Sequence, residues 1–129
     1  MKITLIGSAR FENKFKEANR RLTLAGHVVY SLAVYPSDMS GKDWYTPEQK
    51  AMLDKVHKDK IEASDAVFLV QENGYIGEST RSEIEHARRL GKRLLCPYPL
   101  NFSEGFERTC SLSGCSDPTK QQPCAACYE

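Results

Sequence analysis

The apolar run at residues 66–70, in the segment DAVFLV, constrains the fold more than any other part of the chain. Its residues do not alternate between polar and apolar, which is typical of a strand that is covered on both faces. Strands of this kind occur in parallel sheets that have helices packed on each side. The run therefore predicts an α/β fold in which this segment is a central strand.

Three further strands and a first helix are predicted around this run. The strands are residues 3–6, residues 27–32 and residues 93–96, which are short and rich in apolar side chains. The helix lies between the first two strands, because its apolar residues recur at steps of three and four and Gly26 can end it. Those apolar residues are Phe11, Phe15, Ala18 and Leu22.

Two more helices are predicted to begin at capping boxes. In a capping box, Thr caps the helix and a Glu or Gln three residues later bonds back to it. Thr46 and Gln49 fit this pattern before the central strand, with Pro47 at the first helical position. Thr80 and Glu83 fit it after that strand, in a helix that reaches Leu90. Three apolar residues are predicted near one face of the earlier helix, Met52, Val56 and Ala63, with Leu53 and Ile61 flanking them.

This alternation predicts a flavodoxin-like, Rossmann-like parallel sheet with strand order 2-1-3-4 and right-handed crossovers. In such sheets ligands bind beyond the carboxyl ends of the strands, at the switch point between strands one and three. Residues 1–100 are predicted to form this domain. Residues 101–129 have neither a helical nor a strand period and are predicted to be an irregular, cysteine-rich tail.

Composition narrows the classes of partner. The chain has 129 residues and a net charge of +1, and its basic residues are interleaved with acids. It therefore fits one domain and carries no basic surface that suggests nucleic acid. Its apolar runs are too short to span a membrane, and the apolar stretch in its first residues is too short for a signal peptide. A cytoplasmic location is the expectation.

The loops after strands one and three have the composition of an anion site. Gly7, Ser8 and Arg10 follow strand one, and Gly74, Gly77, Ser79 and Thr80 follow strand three. Glycines allow a close approach of the backbone, while hydroxyls, arginine and a helix N-terminus favour a phosphate or carboxylate. Alternatively, the glycines form turns and the hydroxyls cap the helix. The position of both loops at the switch point favours a ligand site.

Glu83 has two competing interpretations. As the last residue of the TRSE capping box, its carboxylate would reach back to the start of the helix. As a residue above the crevice, the same carboxylate could attack an electrophilic carbon. Spacing alone does not separate the two roles.

Three segments together resemble the nucleoside 2-deoxyribosyltransferase superfamily, which includes nucleoside 5'-monophosphate N-glycosidases. They are GSAR, ASDAVFLV and GYIGESTRSEIEHARRLGK, and the resemblance covers residues 1–98. It implies that Glu83 is a nucleophile at the anomeric carbon and that Ser8, Arg10, Ser79 and Thr80 hold a 5'-phosphate. It also implies a nucleoside or nucleotide as small-molecule partner, no cofactor for the chemistry, and a homo-oligomer.

The chain also departs from the superfamily pattern. Thr4 and Leu5 stand where a tyrosine is usual, and His57 stands where an aspartate is common. Histidine can act as an acid or a base near neutral pH, so His57 is a second catalytic candidate, with a structural role as the alternative. The leading hypothesis is an enzyme that cleaves the N-glycosidic bond of a nucleoside or nucleotide, or exchanges its base, with Glu83 as the nucleophile. The departures favour a rival hypothesis, in which the crevice only binds a nucleotide or nucleotide-sugar as a sensor module.

The tail contains four cysteines: Cys110, Cys115, Cys124 and Cys127. Four thiolates can hold one zinc ion tetrahedrally and so fold a segment that has no core of its own. The second pair has the usual C-x2-C spacing, whereas the first is wider. Two interpretations follow: a structural zinc site, or a disordered tail with ordinary thiols.

Overall fold

The structure is a computed structural model that describes residues 1–39, 45–72, 74–97, 105–109 and 117–119. Its centre is a five-stranded sheet with the order β2-β1-β3-β4-β5, in which every neighbouring pair of strands is parallel. The flavodoxin-like order predicted from the sequence is confirmed. The strands are β1 (Lys2–Gly7), β2 (Val28–Tyr30), β3 (Ala66–Val70), β4 (Arg93–Pro97) and β5 (Glu107–Thr109).

Strand β3 lies in the middle of the sheet, and all five of its residues are buried. Its side chains alternate between the two faces, where they join two separate apolar clusters. One cluster includes helix α1 (Glu12–Leu24), and the other includes helices α2 (Pro47–Ala63) and α3 (Glu78–Arg89). The continuous apolar run in DAVFLV thus reflects a strand with a core on each side.

The predicted apolar face of α2 is wrong. Met52 and Val56 are 57% and 42% exposed, and Ala63 is also exposed. The buried residues of this helix are His57 and Ile61. Ile61 packs into the core on the α2 side, and His57 lies one turn earlier, at the wall of a cavity, so a polar residue belongs to the inward face.

The two predicted capping boxes have different outcomes. In α2 the box is confirmed: Gln49 N donates to Thr46 Oγ1 (3.1 Å) and Thr46 N donates to Gln49 Oε1 (2.9 Å). The box predicted for α3 is wrong, because that helix begins at Glu78 with Gly77 as its N-cap and no side-chain cap. Thr80 instead lies buried within the first turn.

The region after residue 100 contributes to the domain. Residues 107–109 form β5 beside β4, so the expectation of no strand in residues 101–129 is wrong there. Three residues are too few to produce a sequence period. Further on, Pro118 is fully buried and Asp117 Oδ1 lies 3.2 Å from His27 Nε2. All four tail cysteines lie outside the described residues, so the zinc site stays a prediction.

Candidate functional site

A cavity of about 500 Å³ lies beyond the carboxyl ends of β1, β2 and β3. Its walls are the loops that follow these strands, one face of α2 and the first turns of α3. The helix that follows β1 packs on one face of the sheet, and the helix that follows β3 packs on the opposite face. Sheets of this kind bind ligands in the crevice between the ends of two such strands.

Two side chains from different helices meet in this cavity. His57 of α2 and Glu83 of α3 bring Nε2 and Oε2 to 3.3 Å, and these side chains are only 8% and 15% exposed. Both were predicted as catalytic candidates from the sequence, 26 positions apart. Since α3 begins before Thr80, the Glu83 carboxylate is not used as a cap and is free to face His57.

The His57–Glu83 pair has unused hydrogen-bonding capacity. Although Nε2 and Oε2 lie within ion-pair distance, their geometry is not that of a hydrogen bond, and both atoms are buried. His57 Nδ1 is likewise buried without a hydrogen-bond partner among the described residues. Buried polar atoms of this kind are rare in folded proteins and call for a water molecule or a ligand.

Gly7 sets the geometry of the loop after β1. Its φ of +146° is open to glycine and strained for other residues, and a Cβ there would collide with the carbonyl oxygen of Val70. The close approach of β1 and β3 lets Ser8 follow directly at the cavity wall, where its Oγ accepts a 3.4 Å hydrogen bond from Arg10 N.

Most of the predicted ligand residues line the cavity. Besides His57 and Glu83, they are Gly7, Ser8, Gly77, Ser79 and Thr80. Gly74 does not line it: this residue has a φ of +77° and borders a separate depression beside Arg81 and Phe106.

Arg10 also lies outside the cavity lining. Its guanidinium stacks 4.3 Å from the centre of the Tyr75 ring, and Nη2 donates to the Tyr75 hydroxyl at 3.3 Å. Arg10 borders an exposed depression next to Glu12 and Glu72, whereas Tyr75 borders the cavity. Arg10 thus contacts the cavity wall through its side chain at Tyr75 and through its backbone N–H at Ser8.

Lys60 and Tyr75 line the cavity although no motif predicted them. Lys60 is three residues after His57 and thus on the same face of α2, which is a signal that helical spacing does contain. Tyr75 lies within the glycine-rich loop that carries the resemblance. Thr4 and Leu5, where the superfamily usually has tyrosine, are fully buried and are not part of the cavity wall.

The described residues contain no group of three or more His, Cys, Asp or Glu side chains placed to hold a metal ion. Within the same ranges, no helix is both long enough and apolar enough to cross a membrane.

Solved structures share this fold. The alignment with a 2-deoxyribosyltransferase from Bacillus psychrosaccharolyticus covers 84% of this chain and 85% of that protein, with a TM-score of 0.68 and 18% identity. The alignment with the CMP N-glycosidase BcmB from Clostridium botulinum covers 88% of this chain and 92% of that protein, with a TM-score of 0.56 and 16% identity. The alignment with a conserved protein from Enterococcus faecalis covers 76% of this chain and 63% of that protein, with a TM-score of 0.52 and 18% identity.

No protein-family model matches the chain, and no curated protein matches it in sequence. The comparisons therefore define a class of fold: a parallel α/β domain of the type found in 2-deoxyribosyltransferase and nucleotide N-glycosidase structures. The resemblance to the nucleoside 2-deoxyribosyltransferase superfamily is confirmed at this level.

Proposed function

We propose that the protein cleaves the N-glycosidic bond of a nucleoside or nucleotide, with Glu83 as the nucleophile and His57 as the general base that activates water. The observation that carries the proposal is the buried His57–Glu83 pair at 3.3 Å in the switch-point cavity. The solved structures with this fold include one enzyme that transfers 2-deoxyribosyl groups and one that acts on CMP, which supports the same class of chemistry.

The chemistry divides into two steps. The Glu83 carboxylate forms a bond to the anomeric carbon while the bond from that carbon to the base nitrogen breaks, and the base takes the electron pair. Water then attacks the same carbon, His57 accepts a proton from the water, and Glu83 is released as a carboxylate. A second base in place of water would give base exchange.

The cavity has two unlike ends, which suit the two halves of such a substrate. Ser8, Ser79 and Thr80 place hydroxyls near the mouth of α3, where a sugar or its phosphate finds hydrogen-bonding groups. The stretch Leu32–Val34 and Leu53 give the β2 side an apolar wall. A flat base fits such a wall, because ligand sites are mostly apolar with a few polar groups that set orientation.

A panel of nucleosides and 5'-monophosphates, assayed for free base with and without an added second base, tests the proposal. Wild-type protein should release base from at least one member. Glu83→Gln keeps the shape of the side chain but removes the nucleophile, so turnover should fall by about 10³-fold or more. Glu85→Gln is the matched control, because Glu85 is exposed on the same helix and pairs with Arg89.

The panel also separates the enzyme from the sensor module. Tight binding of a nucleotide without release of base, even after long incubation, would support the sensor. Unchanged turnover in Glu83→Gln would contradict the role of Glu83 while leaving the reaction itself in place.

A further inference from the structure

Lys60 is a cation that faces the cavity without a carboxylate partner among the described residues. Its Nζ donates a 2.8 Å hydrogen bond to the carbonyl oxygen of Ser31, at the end of β2. Two other lysines of α2 are paired with acids one turn away, Lys50 with Asp54 and Lys55 with Asp59. Lys60 therefore differs from Lys50 and Lys55 in having no counter-charge among the described residues.

The position of Lys60 relates it to both ends of the cavity. It is one helical turn from His57, and its side chain extends to Ser31, which directly precedes the apolar stretch Leu32–Val34. The carboxyl ends of β2 and β3 lie on either side of β1, roughly 10 Å apart at ordinary strand spacing. Lys60 thus supplies a cation at the β2 side of the cavity, whereas Glu83 enters from the β3 side.

This arrangement matches the charge that develops in the proposed reaction. When the glycosidic bond breaks, the electron pair stays on the base, so negative charge grows on the base and not on the sugar. An ammonium carries three donors and no acceptor, and the Ser31 carbonyl uses one of them. The remaining two can meet a carbonyl oxygen or ring nitrogen of a base that lies on the apolar wall.

We propose that Lys60 is a further catalytic residue, which binds an acceptor atom of the base and donates a proton to it as the base departs. The inference rests on the proposed function. In this step the Lys60 N–H bond breaks, the base gains the proton, and the neutral amine is protonated again by solvent. The proton that His57 takes from water in the second step returns to solvent, so protons and charges balance over one turnover.

Burial supports this role. It lowers the pKa of the Lys60 ammonium, because the charged form is less well solvated there, and so makes its proton easier to transfer than that of an exposed lysine. The proposed role also restricts the substrate class. The base must present an acceptor toward the β2 side, since an amino group there would face the ammonium donor to donor.

The test uses Lys60→Met in a series of nucleosides that share one sugar. Electron-withdrawing substituents on the base give the series leaving groups of falling pKa. If Lys60 assists departure, the loss of kcat/KM in Lys60→Met should grow from about 10-fold for the most activated base to about 10³-fold for the least activated. Lys60→Arg retains a charged donor and should recover part of this loss.

Two controls define the outcomes. Lys55→Met, which removes an exposed lysine of the same helix, should follow the wild-type dependence, and Glu83→Gln should lower all members by a similar factor. A uniform loss in Lys60→Met, or no loss, would overturn the inference and leave the proposed function standing. If the wild-type protein releases no base from any nucleoside or 5'-monophosphate of the earlier panel, both fail.

Discussion

Helices α2 and α3 begin with the same kind of sequence but use it differently. TPEQ at the start of α2 forms a complete capping box, so Thr46 and Gln49 satisfy the ends of their own helix. TRSE has the same spacing, yet α3 begins three residues earlier than Thr80 as a cap would place it, at Glu78. Thr80 is then an interior residue of the first turn, and Glu83 is one turn deeper in the helix.

The difference shows that the same sequence motif can cap one helix and supply cavity residues from within another. Helix α3 begins at Glu78, directly after Gly77, and this places Thr80 and Ile84 among the buried residues of the helix. Glu83 then lies beside His57 and not at the helix end. The start of α2 is closed by its own side chains, whereas α3 has no side-chain cap and its first residues line the cavity. One motif therefore stabilises a helix, and the other places a carboxylate at the wall of the cavity.

The largest effect is expected at His57, and it tests whether turnover through Glu83 of α3 needs the imidazole of α2. His57→Gln should slow hydrolysis by about 10²- to 10⁴-fold, because water would have to attack without a base. The first step does not need that base, so a burst of free base close to one per protein should precede the slow phase. Rapid-quench measurements of base release would show both phases.

His86→Gln is the control for this prediction. His86 lies on α3 beside Glu62 and does not line the cavity. It should leave both phases unchanged. Wild-type turnover in His57→Gln would mean that the pair is structural.

The next effect concerns the start of α2, where the motif is structural. Thr46→Ala removes the side-chain cap, so the free energy of unfolding should fall by about 1 kcal/mol, with kcat within about twofold of wild type. Urea unfolding and base release measure the two quantities. Ser82→Ala, at an exposed position in α3, should change stability by less than about 0.5 kcal/mol. A fall in kcat well beyond twofold in Thr46→Ala would show that the start of α2, like the start of α3, contributes to the site.

The smallest effect concerns Arg10, which the sequence assigned to a phosphate. Because Arg10 stacks on Tyr75 outside the cavity lining, Arg10→Ala should remove a contact of about 0.5–1 kcal/mol. Binding of a nucleoside and of its 5'-monophosphate should weaken equally, by up to about fivefold. Calorimetry on both ligands measures this. A loss of ten- to a hundredfold for the monophosphate alone would restore Arg10 as a phosphate ligand.

The order of β1 to β4 could be predicted because each of these four strands has a local signature. DAVFLV is apolar throughout since it is buried on both faces, and Gly7 and Gly26 mark where neighbouring elements end. β5 had no such signature. Its three residues include Glu107 and Arg108, and its pairing with β4 is supported by an ion pair between Arg93 and Glu107 that no local pattern contains.

The candidate site could be predicted only in part. Glu83 and His57 were identified from motif and resemblance, but their 3.3 Å contact depends on how α2 and α3 pack, which neither segment encodes alone. The inward face of α2 was assigned wrongly, because Met52 and Val56 are apolar by type and yet exposed. The face of α2 that lines the cavity combines Leu53 and Val56 with His57 and Lys60, and such a mixture of apolar and polar residues breaks the hydrophobic period on which prediction relies.

The central claim is that the Glu83 carboxylate bonds to the sugar. A nucleoside of the accepted class with fluorine at C2' should form the glycosyl-enzyme but release it slowly, so intact-mass spectrometry should show one added fluorosugar per chain. Tryptic digestion yields the peptide from Ser82 to Arg88, and fragmentation of that peptide should place the adduct on Glu83 and not on Glu85. Release of base with no adduct, or an adduct on another carboxylate, would contradict the account.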